Sequence, residues 1–238
     1  NGIYDMMVRR IQEQGRWYAP IKEENAAERQ ADVLLSAKRI YLQEKDRSIY
    51  CIKPDIPLSA FPYEMIGELL SDNSSRTAMS GAMVAELKWI HMQRNRNIFE
   101  KKSPSHYILQ RSGLRRFAET GIMHSQPPGL RSQTIPERIT TLSECLRRSQ
   151  DTSFFNVHLG KGRLEACDGV EILWLDQLGV QFFNLGQRHP SGTVISLSEF
   201  TRLFQNFYTE ELLTKYVESD QACYAFLQTL IDELKARQ

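Results

Sequence analysis

Cysteines are few and scattered in this sequence. Cys51, Cys145, Cys167 and Cys223 form no C-x-x-C pair, and no histidine lies at zinc-finger spacing from them. This spacing argues against a disulfide framework and against a structural zinc site, and it favours reduced, packed thiols. We therefore expect neither a metal ion nor another cofactor.

Long apolar runs and an excess of one charge are also missing. No run approaches the roughly 18 apolar residues that a membrane-spanning helix requires, and the first residues lack a signal-peptide pattern. The formal net charge of +1 argues against a protein that works through overall attraction to nucleic acid or membrane. We expect a cytoplasmic protein with no membrane partner. The opening residues resemble a helix already under way, so we also expect further residues upstream of Asn1.

The common catalytic signatures are absent as well. The sequence contains no G-x-S-x-G, H-E-x-x-H or G-x-G-x-x-G, and Gly160-Lys161-Gly162 lacks the rest of a P-loop. We interpret His91, His106, His124 and His189 as isolated structural histidines. Whether the chain is an enzyme stays open, and the missing motifs favour a protein that is not.

Amphipathic helices dominate the first half of the chain. Apolar residues recur at helical spacing over 22–46, in the segment after Pro62 and from Thr77 to about Phe99. The apolar run Ile49–Ile52 is followed at once by Pro54, so we expect any strand there to be short or at a sheet edge. Tyr107–Leu109 is typical of a buried strand, and a short helix is predicted from Ser112 to Gly121.

The second half mixes strand and helix signals. Thr134 and Glu137 form a capping box, which predicts a helix. Strand-like runs cover 154–159, 170–175, 180–185 and 194–197, and the middle two predict a hairpin. Two further amphipathic helices are predicted, one capped by Ser196 and one by Ser219.

Together these patterns predict an α+β or α/β fold. A helical first half is followed by a mixed sheet of about four or five strands, flanked by amphipathic helices. Proline and glycine at 127–129 place a soft boundary between a helix-rich basic region, 1–125, and an α/β effector or dimerisation domain, 130–238. The two regions can also form one compact unit.

One charge asymmetry stands out, between residues 88 and 116. There the basic residues are opposed only by Glu100. Such a set could contact DNA phosphates, hold an anionic effector through bidentate arginine contacts, or form a solvated face. For an anionic effector the candidate ligand-binding residues are Arg111, Arg115, Arg116, His158, Lys161 and Arg163.

Three segments carry a resemblance to a known family. Leu114–Gly121, the helix that begins Ile135-Pro136-Glu137-Arg138-Ile139, and Leu197–Phe204 resemble the effector half of certain bacterial helix-turn-helix transcription regulators, over roughly residues 105–235. In such proteins a short N-terminal domain reads DNA, while a larger C-terminal domain senses a signal or dimerises. The resemblance implies DNA binding only through a region that is not evident in this chain.

Three hypotheses of function follow. The first is a non-catalytic regulatory domain that binds a small effector or partner and forms a homodimer, as part of a bacterial transcription regulator. The alternative is an enzyme that acts on a phosphorylated or nucleotide substrate with Arg111, Arg115, His158, Lys161 and Arg163 gathered at the sheet edge. A structural adaptor with a large apolar interface is the third.

Overall fold

The protein is described by a computed structural model. The described residues are 16–18, 48–62, 65, 81–124, 131–164, 170–175, 179–184, 191–195 and 198–238. The helix predicted over 22–46, most of the helix predicted after Pro62, and the proline-rich boundary at 127–129 lie outside them. So does Ser196, the predicted cap of the penultimate helix.

A mixed sheet runs through the described residues. Its strands are β1 (Arg16–Tyr18), β2 (Ile49–Lys53), β3 (Ser105–Leu109), β4 (Phe155–Leu159), β5 (Val170–Leu175), β6 (Gly179–Asn184) and β7 (Ser191–Ile195). Their spatial order is β1-β7-β6-β5-β2-β3-β4. Neighbours among β2, β3 and β4 are parallel, and every other neighbouring pair is antiparallel. The predicted mixture of helix and strand is confirmed, but the predicted number of four or five strands is wrong, because the sheet has seven.

Helices surround this sheet. They are α1 (Gly81–Asn95), α2 (Arg111–Thr120), α3 (Ile135–Asp151), α4 (Ser198–Asn206) and α5 (Asp220–Lys235). A π-helical turn, Arg96–Glu100, extends α1, and the irregular helical turns of Phe207–Leu212 and Leu213–Lys215 extend α4. None of the helices in the described part of the chain is both long enough and apolar enough to span a bilayer.

The ends of these helices follow signals in the sequence. At the start of α3 the Thr134 N–H donates to Glu137 Oε2 over 2.7 Å, which confirms the capping box. Ser219 Oγ accepts from Ala222 N–H over 3.3 Å and begins α5 as predicted. Gly121 ends α2 with φ at 69°, a left-handed conformation that suits glycine.

The strand β2 corrects an expectation. It was expected to be short or at an edge, yet its five residues are all buried and it lies between β5 and β3. The reason is positional: Pro54 and Pro57 follow the strand, so the N–H groups that they lack are outside the ladder. The first half of the chain is therefore not purely helical, since it supplies β1, β2 and β3.

The parallel strands have apolar residues on both faces. Cys51, Tyr107 and Val157 belong to the larger core, which includes residues of α2, α3 and α5. Alternate residues on the opposite face, among them Ile52 and Ile108, pack in a smaller core with residues from α4 and its extension. Burial on both faces is typical of parallel strands. Strands from both sides of the boundary predicted near 127–129 belong to this one sheet.

The outer edge of β4 is covered by side chains and by a short segment of main chain. The Phe155 N–H donates to Thr152 Oγ1, and the Val157 N–H donates to Ser149 Oγ, each over 3.2 Å. Leu159 O accepts from Glu218 N–H over 2.8 Å. Because an unpaired strand edge is a template for pairing with another chain, these contacts protect the last strand of the sheet.

Candidate functional site

The carboxyl ends of β2, β3 and β4 lie side by side. We name this end of the three strands the carboxyl edge, as distinct from the outer edge of β4. Main-chain bonds join the residues that follow the three strands. Gln110 N–H donates to Pro54 O over 3.1 Å, and Gly160 N–H donates to Leu109 O over 2.9 Å. In open α/β sheets, ligands bind outside the carboxyl ends of the strands. By analogy with such sheets, the carboxyl ends of the three parallel strands are a candidate place for a binding site.

Arg111 begins α2 at the carboxyl edge and carries a fork-shaped ion pair. Its Nε lies 3.0 Å from Glu218 Oε1, and its Nη2 lies 2.5 Å from Glu218 Oε2. The Arg111 side chain is 33% exposed and that of Glu218 is 22% exposed. The guanidinium carbon also lies 4.5 Å from the centre of the Phe226 ring. Two parallel bonds of this kind are the way in which arginine recognises a carboxylate or a phosphate.

Glu218 belongs to a segment, Tyr216–Asp220, that we name the strap. Tyr216 O accepts from Lys161 N–H over 2.9 Å, and Glu218 N–H donates to Leu159 O over 2.8 Å. Between them, Val217 forms an isolated antiparallel bridge with Gly160. The strap thus runs along the carboxyl end of β4 and joins the helical extension of α4 to α5.

Three side chains form a second feature, a chain of contacts from the strap into the sheet. His158 Nδ1 lies 3.4 Å from Asp220 Oδ1, and His158 Nε2 lies 3.2 Å from His106 Nδ1. Asp220 is 63% exposed at its side chain, whereas His158 is 13% exposed. We name these three residues the histidine chain.

The geometry of the two rings identifies how they interact. Their centroids are 5.6 Å apart and their planes differ by 5°. The distance between the centroids equals the sum of the 3.2 Å nitrogen–nitrogen contact and the radii of the two rings. The two nitrogens therefore lie on the line between the ring centres, and the rings are edge to edge. His106 and His158 therefore share a hydrogen bond and are not stacked face to face.

The proton positions follow from the acceptors. Ionised Asp220 only accepts, so His158 carries a hydrogen on Nδ1 and presents the lone pair of Nε2. His106 must then donate from Nδ1, which leaves its Nε2 as the basic end of the chain. Burial first, and then the repulsion that a protonated His158 would exert, lower the pKa of His106 to about 4. Burial also lowers the pKa of His158, against the raising effect of Asp220. Both rings are neutral at pH 7.

Asp55, at the end of β2, is the centre of a third group of charges. Its side chain is fully buried, with Lys53 Nζ 4.0 Å from Oδ1 and Arg116 Nη2 3.8 Å from Oδ2. Oδ2 also accepts from the His124 N–H. A buried carboxylate needs such partners, because an uncompensated charge loses its hydration on burial.

The six residues predicted for an anionic effector are therefore divided among different places. Arg115 lies one turn after Arg111, is also near Phe226 and pairs with Glu233 over 3.3 Å. Arg116 points about 140° away from Arg111 around the axis of α2, toward Asp55. Lys161 is exposed beside the strap. Arg163 lies in the short turn Gly162–Leu164, and its side chain is outside the described atoms.

Sequence reasoning missed several residues of these groups. Glu218 and Asp220 carried no motif, and His106 was interpreted as isolated although it contacts His158. A signal for the histidines was present, since each occupies an inner position of a five-residue strand. Only the pairing of β3 with β4 brings them together. The described residues contain no group of three or more His, Cys, Asp or Glu that could hold a metal ion.

Comparison of the chain with models of protein families, with curated proteins and with solved structures gave no match. The function is therefore inferred from the geometry of the carboxyl edge and of the histidine chain.

Proposed function

We propose that this chain is the signal-sensing region of a bacterial transcription regulator, a non-catalytic unit that binds a small anionic effector. The proposed binding site is the carboxyl edge, with Arg111 as the main ligand and Lys161 as a second positive charge. Arg115, one turn along α2, is close enough in angle to assist.

One observation carries this proposal. Arg111 holds the carboxylate of Glu218 in a bidentate fork while a third of its side chain is exposed. A site that binds a planar carboxylate from the protein has the shape and charge to bind one from a ligand. Its position supports the same conclusion, since ligands of open α/β sheets bind at carboxyl edges.

Lys161 adds charge at this place. It is exposed, and its main chain is bonded to the strap that carries Glu218. A flexible ammonium group can neutralise the charge of an anion that a planar guanidinium orients. Together the two cations suit a small carboxylate or phosphate.

The experiment is a thermal-shift and calorimetric titration of the chain with inorganic phosphate and with succinate. We expect at least one anion to raise the melting temperature, because a ligand that binds only the folded state stabilises it. Arg111→Gln should abolish the shift. Arg147→Gln is the matched control, since Arg147 forms exposed ion pairs on α3. Equal shifts in all three proteins would refute the proposal.

A second candidate function, an enzyme acting on a phosphorylated or nucleotide substrate, is favoured by the histidine chain. A carboxylate that orients a histidine, which in turn accepts from a second ring, is an arrangement that can move a proton. His158→Ala should abolish turnover of a phosphodiester substrate, while Arg147→Gln should keep it. Absence of turnover in the unmodified protein would remove this candidate.

We also propose that the unit forms a homodimer in the cytoplasm and that DNA is contacted only through a region that is not evident in this chain. The proposal follows the resemblance of 105–235 to effector halves of regulators. Native mass spectrometry of the purified chain tests it, with a dimer expected. A monomer at micromolar concentration would contradict the dimer.

A further inference from the structure

The strap occupies the place where the fold favours a ligand. Its Glu218 side chain lies on Arg111, the second residue after β3, and its main chain lies on Leu159 and Gly160 at the end of β4. A carboxylate of the protein therefore fills the guanidinium fork of the carboxyl edge. An incoming anion can bind there only by competing with it.

Several contacts hold the strap against β4. The main-chain bonds of Tyr216 and Glu218 and the bridge of Val217 lie along the strand, and the Tyr216 and Val217 side chains pack against the smaller core. The residues after Val217 are held in addition by two side-chain contacts. The side-chain contacts are the Arg111–Glu218 pair and the 3.4 Å approach of Asp220 to His158. The Arg111–Glu218 pair is bidentate but partly exposed, so an anion that offers the same two-oxygen geometry can compete with Glu218 for the guanidinium.

The strap is joined to a long element. Ser219 caps α5, and α5 packs in the larger core through Cys223, Leu227 and Leu230. Displacement of Glu218 would leave this packing intact and would release the residues just before the helix. The change would therefore be local, and it would alter the surface around Glu218 and Ser219, while Tyr216 and Val217 stay packed against the smaller core.

We propose that Glu218 is an internal competitor of the effector, and that a small carboxylate or phosphate displaces it from Arg111 and releases the end of the strap from Glu218 onward. This inference rests on the proposed function, because it assigns the regulation of the same site. It makes the strap the part of the molecule that reports whether the effector is bound. The guanidinium exchanges one anion for another, so no bond is made or broken covalently.

The test combines binding of inorganic phosphate with amide hydrogen exchange of residues 216–220 in the full chain. Glu218→Gln removes the competing charge and keeps the size of the side chain. We expect it to bind phosphate about tenfold more tightly than the unmodified protein, and to exchange faster at the strap without ligand. Phosphate should accelerate exchange of the Glu218 N–H in the unmodified protein. Circular dichroism checks that each variant is folded.

Glu211→Gln is the matched control. Glu211 forms a 2.6 Å ion pair with Lys215 on the exposed surface, so the substitution removes the same charge next to a cation outside the carboxyl edge. It should leave both phosphate affinity and strap exchange unchanged. Arg111→Gln should abolish phosphate binding with or without Glu218→Gln.

The outcomes separate the two proposals. If phosphate binding depends on Arg111 but Glu218→Gln does not tighten it, the effector site stands and the competitor is refuted. If Glu218→Gln loosens the strap but no binding depends on Arg111, the effector site is refuted. The competitor proposal is then refuted with it, because it requires an anion that binds Arg111. Equal effects of Glu211→Gln and Glu218→Gln would reduce both results to a change in net charge and would overturn the inference.

Discussion

His106 and His158 meet diagonally across two parallel strands. In the β3–β4 register His106 is opposite Asn156, and His158 is opposite Ile108, yet the two imidazoles share a hydrogen bond of 3.2 Å. The contact of Asp220 with His158 Nδ1 determines which nitrogen of His158 carries the hydrogen. The sheet thereby places two neutral histidines in contact, and an added proton would bind at Nε2 of His106.

Acid should destabilise the protein before its carboxylates titrate. Burial, followed by other causes, lowers the pKa of His106 to about 4 and that of His91 to about 3, from the ordinary 6.5. These two histidines therefore bind more protons in the unfolded chain below about pH 6.5, so their contribution to stability is fully present well above that pH and is lost as the pH falls toward 4. Each histidine contributes a slope approaching about 1.4 kcal/mol per pH unit, and about 3 kcal/mol in total for His106.

Urea unfolding at several pH values between 7 and 5 measures this slope. The slope reports how many more protons the unfolded state binds than the folded state. His106→Gln should lower that number by nearly one, whatever its effect on stability at pH 7. The window avoids Glu137 and Glu144, whose pKa values are lowered to about 2 by hydrogen bonds from Arg131 and Arg147 respectively. Those carboxylates lose their contribution only as pH falls from about 4.5 toward 2. An unchanged slope in His106→Gln would contradict the assignment.

Ser149→Ala should destabilise the protein by about 1–3 kcal/mol. The Ser149 hydroxyl accepts the Val157 N–H over 3.2 Å, and the substitution leaves that buried donor of β4 without it. Denaturant unfolding checks the value, and Ser132→Ala, at an exposed position, should change stability by less than about 0.5 kcal/mol. Equal values for the two variants would show that β4 does not need this partner.

Tyr208→Phe should lower stability by about 1–2 kcal/mol without changing the fold. The Tyr208 hydroxyl lies 2.7 Å from Cys51 O and 3.1 Å from His106 O, fully buried above β2 and β3. Burial raises the pKa of Tyr208 well above its ordinary value, so the hydroxyl stays a donor. Tyr216→Phe, at a less buried side chain, is the control, and calorimetric melting compares them.

Gly113→Ala should be more destabilising than Gly162→Ala. A Cβ atom on Gly113 would lie 2.0 Å from Pro54 O, where α2 approaches the loop after β2. The main chain at the carboxyl edge would have to move, which costs about 1–3 kcal/mol or more. Gly162 has φ of 61° but open space around it, so its variant carries only the cost of the left-handed backbone, about 1 kcal/mol. Similar losses in unfolding experiments would mean that this loop yields easily.

The sequence predicted features that depend on neighbouring residues. The capping box at Thr134 and Glu137, the cap at Ser219 and the helix end at Gly121 were all predicted and are all confirmed. The hairpin of β5 and β6 is confirmed too. These features need only contacts between residues a few positions apart, so the local pattern contains the information.

Long-range pairing was beyond such reasoning. The sequence showed that Ile49–Ile52 is apolar and precedes prolines, but not that β5 and β3 would lie on either side of it. The edge interpretation failed for that reason. The directions of the predicted basic side chains also depend on the fold, because the 3.6-residue period of α2 sends Arg111 and Arg116 toward different partners.

By itself, therefore, the sequence determined the kinds of element and several of their ends. Only the tertiary structure decided the candidate site, since His106 and His158 are separated by 52 positions and Arg111 and Glu218 by 107. Contacts over such distances arise when strands pair and helices pack, and the hydrophobic pattern of each segment allows many pairings. The choice among them belongs to the whole chain, because the stability of one pairing depends on the burial of all the others.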